Sequence, residues 1–270
     1  MKETIAHIIS EVRPYYSEEE ARELAYDIVE YSTGMTRTEI LFGTNQQRID
    51  DLPTIIEALR KQTPIQYIFG HTDWMGLRLN VTPATLIPRP ETAELVEWIL
   101  STCDKQTPLH VVDIGTGSGC IAIALKKKSP AWQVQGIDVS SEALEVAKAN
   151  AKQNGVEIEW KKMDILAEKT DIVDVIVSNP PYICNREKAD MDMRVLDYEP
   201  HTALFVPDDD PLLFYRRIAA MKSAKSIFFE INEAYGQEVC NMMQSLGYTD
   251  IQLKHDIYGK PRMVFGRIEA

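Results

Sequence analysis

Between positions 109 and 267 short β-branched runs alternate with stretches of helical period, and few folds accept that pattern. The spacing predicts strands over 109–114, 133–138, 157–161, 173–178, 226–230, 250–254 and 262–267. Helices are expected over 120–128, 141–153, 212–221 and 235–246. Such alternation implies a mostly parallel sheet with helices on both faces. Only Asp256 to Pro261 separate the last two strands, too few residues for a parallel crossover. The expected fold is therefore α/β, a Rossmann-like seven-stranded sheet ending in an antiparallel hairpin.

In an open sheet of this kind ligands bind beyond the carboxyl ends of the strands. Asn179-Pro180-Pro181-Tyr182 stands there, directly after the run Val173–Ser178. Proline has a fixed φ and no N–H, and it keeps the preceding residue out of the helical region. The turn is thus stiff, and the Asn179 side-chain oxygen and the Pro180 carbonyl are free to accept hydrogen bonds from an –NH2 group. Gripping both hydrogens of an amide or aromatic amine would orient a weak nucleophile towards an electrophile. Tyr182 would add a flat face for a planar substrate, and Pro181 van der Waals contact. The plain alternative is a proline-rich loop at a strand end.

Upstream, Gly115-Thr116-Gly117-Ser118-Gly119 turns from the first strand into a helix. Glycine permits positive φ and close approach of the backbone to a ligand. A dinucleotide fingerprint would need its third glycine at the position of Cys120. The shifted spacing favours a methionine-nucleoside cofactor. Asp138, ending the second strand, is placed either to accept ribose hydroxyls or to cap the next helix. Asp164 reads equally as a partner for the adenine amino group and as a solvated loop carboxylate.

Residues 4–61 carry three apolar stripes of helical period. Ser17-Glu18-Glu19-Glu20 and Thr36-Arg37-Thr38-Glu39 have capping-box spacing, and Pro53 suits a first turn. A helical bundle is expected over 1–62. Residues 63–85, with Ile65 to Phe69 and then Leu77, Leu79 and Val81 at period two, suggest a hairpin linking it to a domain over 86–270. A helix entered through Ile87-Pro88-Arg89-Pro90-Glu91-Thr92 begins that domain; Arg89 and Glu91 are either structural or part of the site. The charged stretch from Ile183 to Pro211 is long for a loop and reads as a lid over the acceptor substrate, with Tyr198-Glu199-Pro200 and Ala203-Leu204 as ordering points.

Composition narrows the partners. The formal net charge is −12, which speaks against duplex nucleic acid and suits a basic protein partner. Cys103, Cys120, Cys184 and Cys240 form no CxxC pair, so neither a zinc site nor a disulfide framework is expected. No apolar run reaches membrane-spanning length and no signal core follows Met1, so a cytosolic protein is expected.

Several stretches together resemble the HemK/PrmC family, the peptide chain release factor glutamine N5-methyltransferases. They are Gln66-Tyr67-Ile68 with Gly70, Leu86 through Thr92, Asp113 through Gly119, Asp138-Val139-Ser140, Ile176 through Ile183, Tyr198-Glu199-Pro200, and Asp256 with Gly259 and Arg262. The resemblance implies a helical N-terminal domain for release-factor recognition and a class I methyltransferase domain. It also implies S-adenosyl-L-methionine as donor, with S-adenosyl-L-homocysteine as product, and the glutamine of the Gly-Gly-Gln motif of release factors as acceptor. Residue by residue it puts the cofactor on Gly115, Thr116, Gly117, Ser118, Gly119, Asp138, Asp164 and Asn179, and the substrate on Asn179, Pro180, Pro181 and Tyr182. Asn179, Pro180 and Tyr182 carry the catalysis in that pattern. The chain departs from it at Ala93, where another Glu is usual, at Ile165, often aromatic, and at Pro211, where Gly usually follows Asp. Three rival readings are an N6-adenine methyltransferase on DNA or RNA, a dinucleotide-dependent oxidoreductase, and a silent binding module.

Overall fold

The computed structural model describes residues 1–42 and 47–268, and the chain divides into two units after Gly70. The first holds helices Lys2–Val12, Glu18–Thr33, Arg37–Phe42, Leu52–Arg60 and Ile65–Phe69. Both predicted capping boxes form. Glu20 N–H donates to Ser17 Oγ at 3.2 Å and Ser17 N–H to Glu20 Oε2 at 3.1 Å. Glu39 N–H donates to Thr36 Oγ1 at 3.3 Å and Thr36 N–H to Glu39 Oε2 at 2.8 Å. The apolar stripes meet in one core around Ile8, Ala25, Ile28 and Leu59.

The reading of Ile65 to Phe69 as extended is corrected. They form a short helix that follows Pro64 and stops at Gly70, whose φ is 73°. Ile65, Ile68 and Phe69 fit helical spacing as well as an apolar strand, and the ring of Phe69 stacks on Tyr31 with centroids 4.9 Å apart. The bundle core, where Ile65 is buried, decides between the two.

The second unit opens with the hairpin β1 (His71–Trp74) and β2 (Leu77–Asn80), turned at Met75-Gly76. It is a fastened part of this unit rather than a free linker. Trp74, Leu77 and Leu79 are buried in the core. Asn150 Oδ1 accepts from Asn80 N–H at 2.6 Å, and Asn150 Nδ2 donates to the Asn80 carbonyl at 2.9 Å.

The large sheet comprises β3 (His110–Ile114), β4 (Gln133–Asp138), β5 (Glu159–Lys162), β6 (Val173–Ser178), β9 (Ala224–Glu230), β10 (Thr249–His255) and β11 (Pro261–Arg267). Its order is β10-β11-β9-β6-β3-β4-β5, parallel from β9 to β5, with β11 antiparallel to both neighbours. This is the predicted sheet and terminal hairpin, with β5 starting two residues later than expected. Alternate residues serve two cores, as period two requires. Val111, Val175 and Val177 pack under helices Pro90–Thr102 and Cys120–Lys128, whereas Val112, Ile176 and Phe229 pack against Leu213–Ala220 and Gly236–Ser245.

The stretch from Ile183 to Pro211 is not the irregular loop that its length suggested. β7 (Ile183–Cys184) and β8 (Phe205–Val206) pair in parallel, and the Leu204 carbonyl accepts from both Tyr182 N–H and Ile183 N–H. Between them lie a 3-10 turn, Asn185–Asp190, and a helix, Met193–Tyr198, capped by Asp192. All four cysteines are free thiols. No helix among the described residues is long and apolar enough to cross a membrane, and those residues contain no cluster able to hold a metal ion.

Candidate active site

A cavity of about 350 Å³ opens at the carboxyl ends of β3, β4 and β6. The strand order reverses between β3 and β6, so the helices that follow them lie on opposite faces and leave a crevice. One end of it is the glycine loop. Gly115 and Gly117 adopt φ of 73° and 55°, and a Cβ on Gly115 would already stand 4.0 Å from the Asn179 carbonyl oxygen. Gly115 N–H and Thr116 N–H both donate to the Ile137 carbonyl at 2.9 Å, which pins the loop to β4.

One side chain of that loop turns inward. Thr116 Oγ1 donates to Asp113 Oδ2 at 2.6 Å, and Asp113 is fully buried, so desolvation pushes its carboxyl up to about 7. The Thr116 N–H is held by Ile137 and its carbonyl accepts from Gly119 N–H at 2.8 Å, so this residue shapes the loop from within. Gly119 does not line the cavity. It caps helix Cys120–Lys128 at φ 80°, and a Cβ there would meet Ala147, Ile123 and Trp160 at 3.1 Å each. Its absence of a side chain serves packing.

Asp138 does line the cavity. Its Oδ2 accepts from Gly117 N–H and its Oδ1 from Ser140 N–H, each at 2.9 Å, and burial raises its pKa. The helix cap itself is Ser140, whose hydroxyl accepts from Ala143 N–H. A carboxylate has about four acceptor positions, so acceptor capacity remains on Asp138 for a ligand. Asp164 also reaches the wall, its Oδ1 held by Leu166 N–H at 2.9 Å, next to buried Ile165.

Asn179, Pro180 and Pro181 line the cavity beside the glycine loop. Asn179 Nδ2 donates to Thr92 Oγ1 at 3.3 Å, and Thr92 Oγ1 donates to Glu230 Oε2 at 2.7 Å. Tyr182 does not line the cavity. It packs against the core, and its hydroxyl donates to Glu230 Oε1 at 3.3 Å. Asn232 Nδ2 donates to the Tyr182 carbonyl at 3.2 Å and to Glu187 Oε2 at 3.1 Å. Glu230 is 1% exposed, and desolvation pushes its carboxyl up to about 7.

The segment after the turn closes one side of the cavity with Pro200, Thr202 and Ala203. Glu199, 4% exposed, pairs with Arg89 at 2.5 Å and accepts from Ile87 N–H at 3.1 Å. Trp74 Nε1 donates to the Arg89 carbonyl at 2.9 Å, so the hairpin holds the arginine in place. Arg89 is therefore both structural and a wall residue. Sequence reasoning gave no role to Thr92 and Glu230, although the first sits in the Arg-Pro-Glu-Thr stretch and the second ends β9, the strand beside the one that leads into the turn. Their signal lies in pairing across 138 residues, which no local pattern carries.

Comparison with known proteins agrees with this fold. The methyltransferase small domain family matches residues 95–197. The release factor glutamine methyltransferase of Bacteroides thetaiotaomicron is 40% identical over 98% of this chain and 99% of its own length. That of Flavobacterium psychrophilum is 41% identical over 92% of each. Among solved structures, a methyltransferase from Pyrococcus furiosus superposes with a TM-score of 0.53 at 16% identity, covering 73% of this chain and 91% of its own, a likeness of fold. From identity of this extent along nearly the whole chain, it follows that the protein belongs to the release factor glutamine methyltransferase family.

Proposed function

We propose that this chain methylates the side-chain amide nitrogen of the glutamine in the Gly-Gly-Gln motif of peptide chain release factors, using S-adenosyl-L-methionine and releasing S-adenosyl-L-homocysteine. The observation that carries the reading is that one cavity joins the glycine loop and Asp138 to the Asn179-Pro180-Pro181 turn. A nucleoside site and an amide-gripping site then share a wall.

The residues present fit the donor. Gly115 and Gly117 carry no side chain to stand in the way of a ligand, Asp138 keeps acceptor capacity for ribose hydroxyls, and Val139, Ile165 and Leu166 give an apolar slot with Asp164 at its rim. Bound S-adenosylmethionine supplies a methyl carbon on a positively charged sulfur, which departs as a neutral thioether. In this reading Asn179 Oδ1 and the Pro180 carbonyl accept the two hydrogens of the glutamine nitrogen and aim its lone pair at that carbon. The nitrogen forms its bond to carbon as the carbon–sulfur bond breaks, and the proton then passes to water. Rate enhancement comes from orientation and from excluding water by Ile114, Ile137, Phe214 and Ile218. Tyr182 buttresses the turn from behind.

The helical unit is our candidate for gripping the release factor, and its place of action would be the cytoplasm. The net charge of −12 argues against a nucleic-acid acceptor. The test is to incubate the protein with labelled donor and a release factor, the same factor with its glutamine changed to alanine, or DNA and RNA, and to locate the methyl group by mass spectrometry. Label on that glutamine and none in the alanine factor is expected. Label on adenine, or on another residue of the factor, would overturn the assignment.

A further inference from the structure

We propose that the Glu230 carboxylate, acting through the Thr92 hydroxyl, decides which way the Asn179 carboxamide faces. This rests on the reading of Asn179 as the amide grip and makes Thr92 and Glu230 positioning residues for it.

The argument is one of donors and acceptors. A carboxamide can turn over and present either oxygen or nitrogen with almost no change of shape. Methyl transfer in the proposed mode needs Oδ1 towards the acceptor nitrogen, because two facing –NH2 groups cannot bond. Thr92 has one hydrogen to give. An ionised Glu230 is acceptor-only and lies 2.7 Å away, so it takes that hydrogen. What remains on Thr92 Oγ1 is a lone pair, and only Nδ2 of Asn179 can satisfy it; the contact is 3.3 Å. Oδ1 is thereby turned towards the cavity. The other oxygen of Glu230 takes the hydrogen of Tyr182 at 3.3 Å, so one buried carboxylate holds both ends of the turn.

Protonation loosens this logic, since a carboxylic acid can donate to Thr92, which can then donate to Oδ1 and reverse the amide. The groups facing Glu230 are Glu91 and Thr92 from helix Pro90–Thr102, Arg262 from β11, Tyr182 from the turn, Cys120, and Tyr215 from helix Leu213–Ala220. Arg262 favours the ionised form, opposed by burial and Glu91. Arg262 is in turn paired with Asp256 at 3.1 Å, so its charge is partly committed elsewhere.

The test uses the full chain. The Asn179 side-chain amide pair is identified in nitrogen-15 spectra by its loss in Asn179→Asp and followed from acid to alkaline pH. In the native protein it should shift with a midpoint near the Glu230 titration, and it should stop titrating in Glu230→Gln and in Thr92→Val. A pair that still titrates in either variant, or never titrates in the native protein, overturns the proposal. In parallel, Thr92→Val should lower kcat about tenfold, the worth of one hydrogen bond, with KM for the release factor unchanged and Thr92→Ser restoring the rate. Loss in KM alone, or no rescue by serine, counts against it. Should the native protein leave the glutamine unlabelled, the proposed function falls while the amide spectra still decide the coupling.

Discussion

At the glycine-loop end of the cavity the wall is shaped by main chain, set by positive φ at Gly115 and Gly117 and by two N–H bonds to Ile137. At the Asn179 end the Pro180 carbonyl is joined by a side chain, and that side chain is held by others drawn from helix Pro90–Thr102 and from β9. Each construction has its own weakness. Main chain tolerates the loss of neighbouring side chains but not an added Cβ; a side-chain relay tolerates backbone adjustment but fails when one link is removed. Both ends also place a carboxyl out of water, Asp113 under the loop and Glu230 behind the turn, each enclosed and each accepting from a threonine hydroxyl. The likeness stops there, because Asp113 stabilises a loop and Glu230 stabilises an orientation.

The sharpest way to break the comparison is Asn179→Ala. With one preorganised group removed, kcat should fall by about 10²- to 10³-fold while donor affinity, read by calorimetry, changes little. Loss of donor binding instead would mean that the two ends are not separable. Asp138→Asn should do the reverse, weakening the donor by about 10-fold, the size of one charge-assisted hydrogen bond, with kcat at saturation nearly intact. Thr116→Val, which deprives buried Asp113 of its hydroxyl, should cost about 1–3 kcal/mol in denaturant unfolding and leave KM for the release factor alone. The smallest effect is on pH. Asp113 has its pKa raised from 3.8 to about 7 by burial, so the fold holds a proton there that the unfolded chain has lost. That contribution is full below about 4 and disappears as pH rises through about 7. Asp113→Asn should therefore flatten the fall in melting temperature across that window, and an unchanged slope would show that the carboxyl is charged throughout.

The sheet was legible because strand runs such as Val173–Ser178 and glycine turns such as Gly115–Gly119 announce themselves locally. The capping boxes at Ser17 and Thr36 did so too. What stayed hidden depends on pairing across the chain: Thr92 with Glu230, Arg89 with Glu199, Asn80 with Asn150. Ile65 to Phe69 went wrong for the opposite reason, since five apolar-rich residues fit either period and only the surrounding core decides. Gly119 and Tyr182, expected at ligand surfaces, lie off the cavity wall, the one in close packing and the other bonded through its hydroxyl to Glu230. A motif marks the neighbourhood of a site, but the side that each residue turns towards it is a property of the packed structure.

The β7–β8 ladder fastens the two ends of the segment 185–204 to each other before the chain reaches β9. Closing a loop at its own base makes added length cheap, since each doubling costs only about 0.6 kcal/mol in chain entropy. Insertions or deletions between Asn185 and Leu204 are therefore insulated from the register of the large sheet. Such a segment can change in length and composition while the strands and glycine turns beneath it stay fixed.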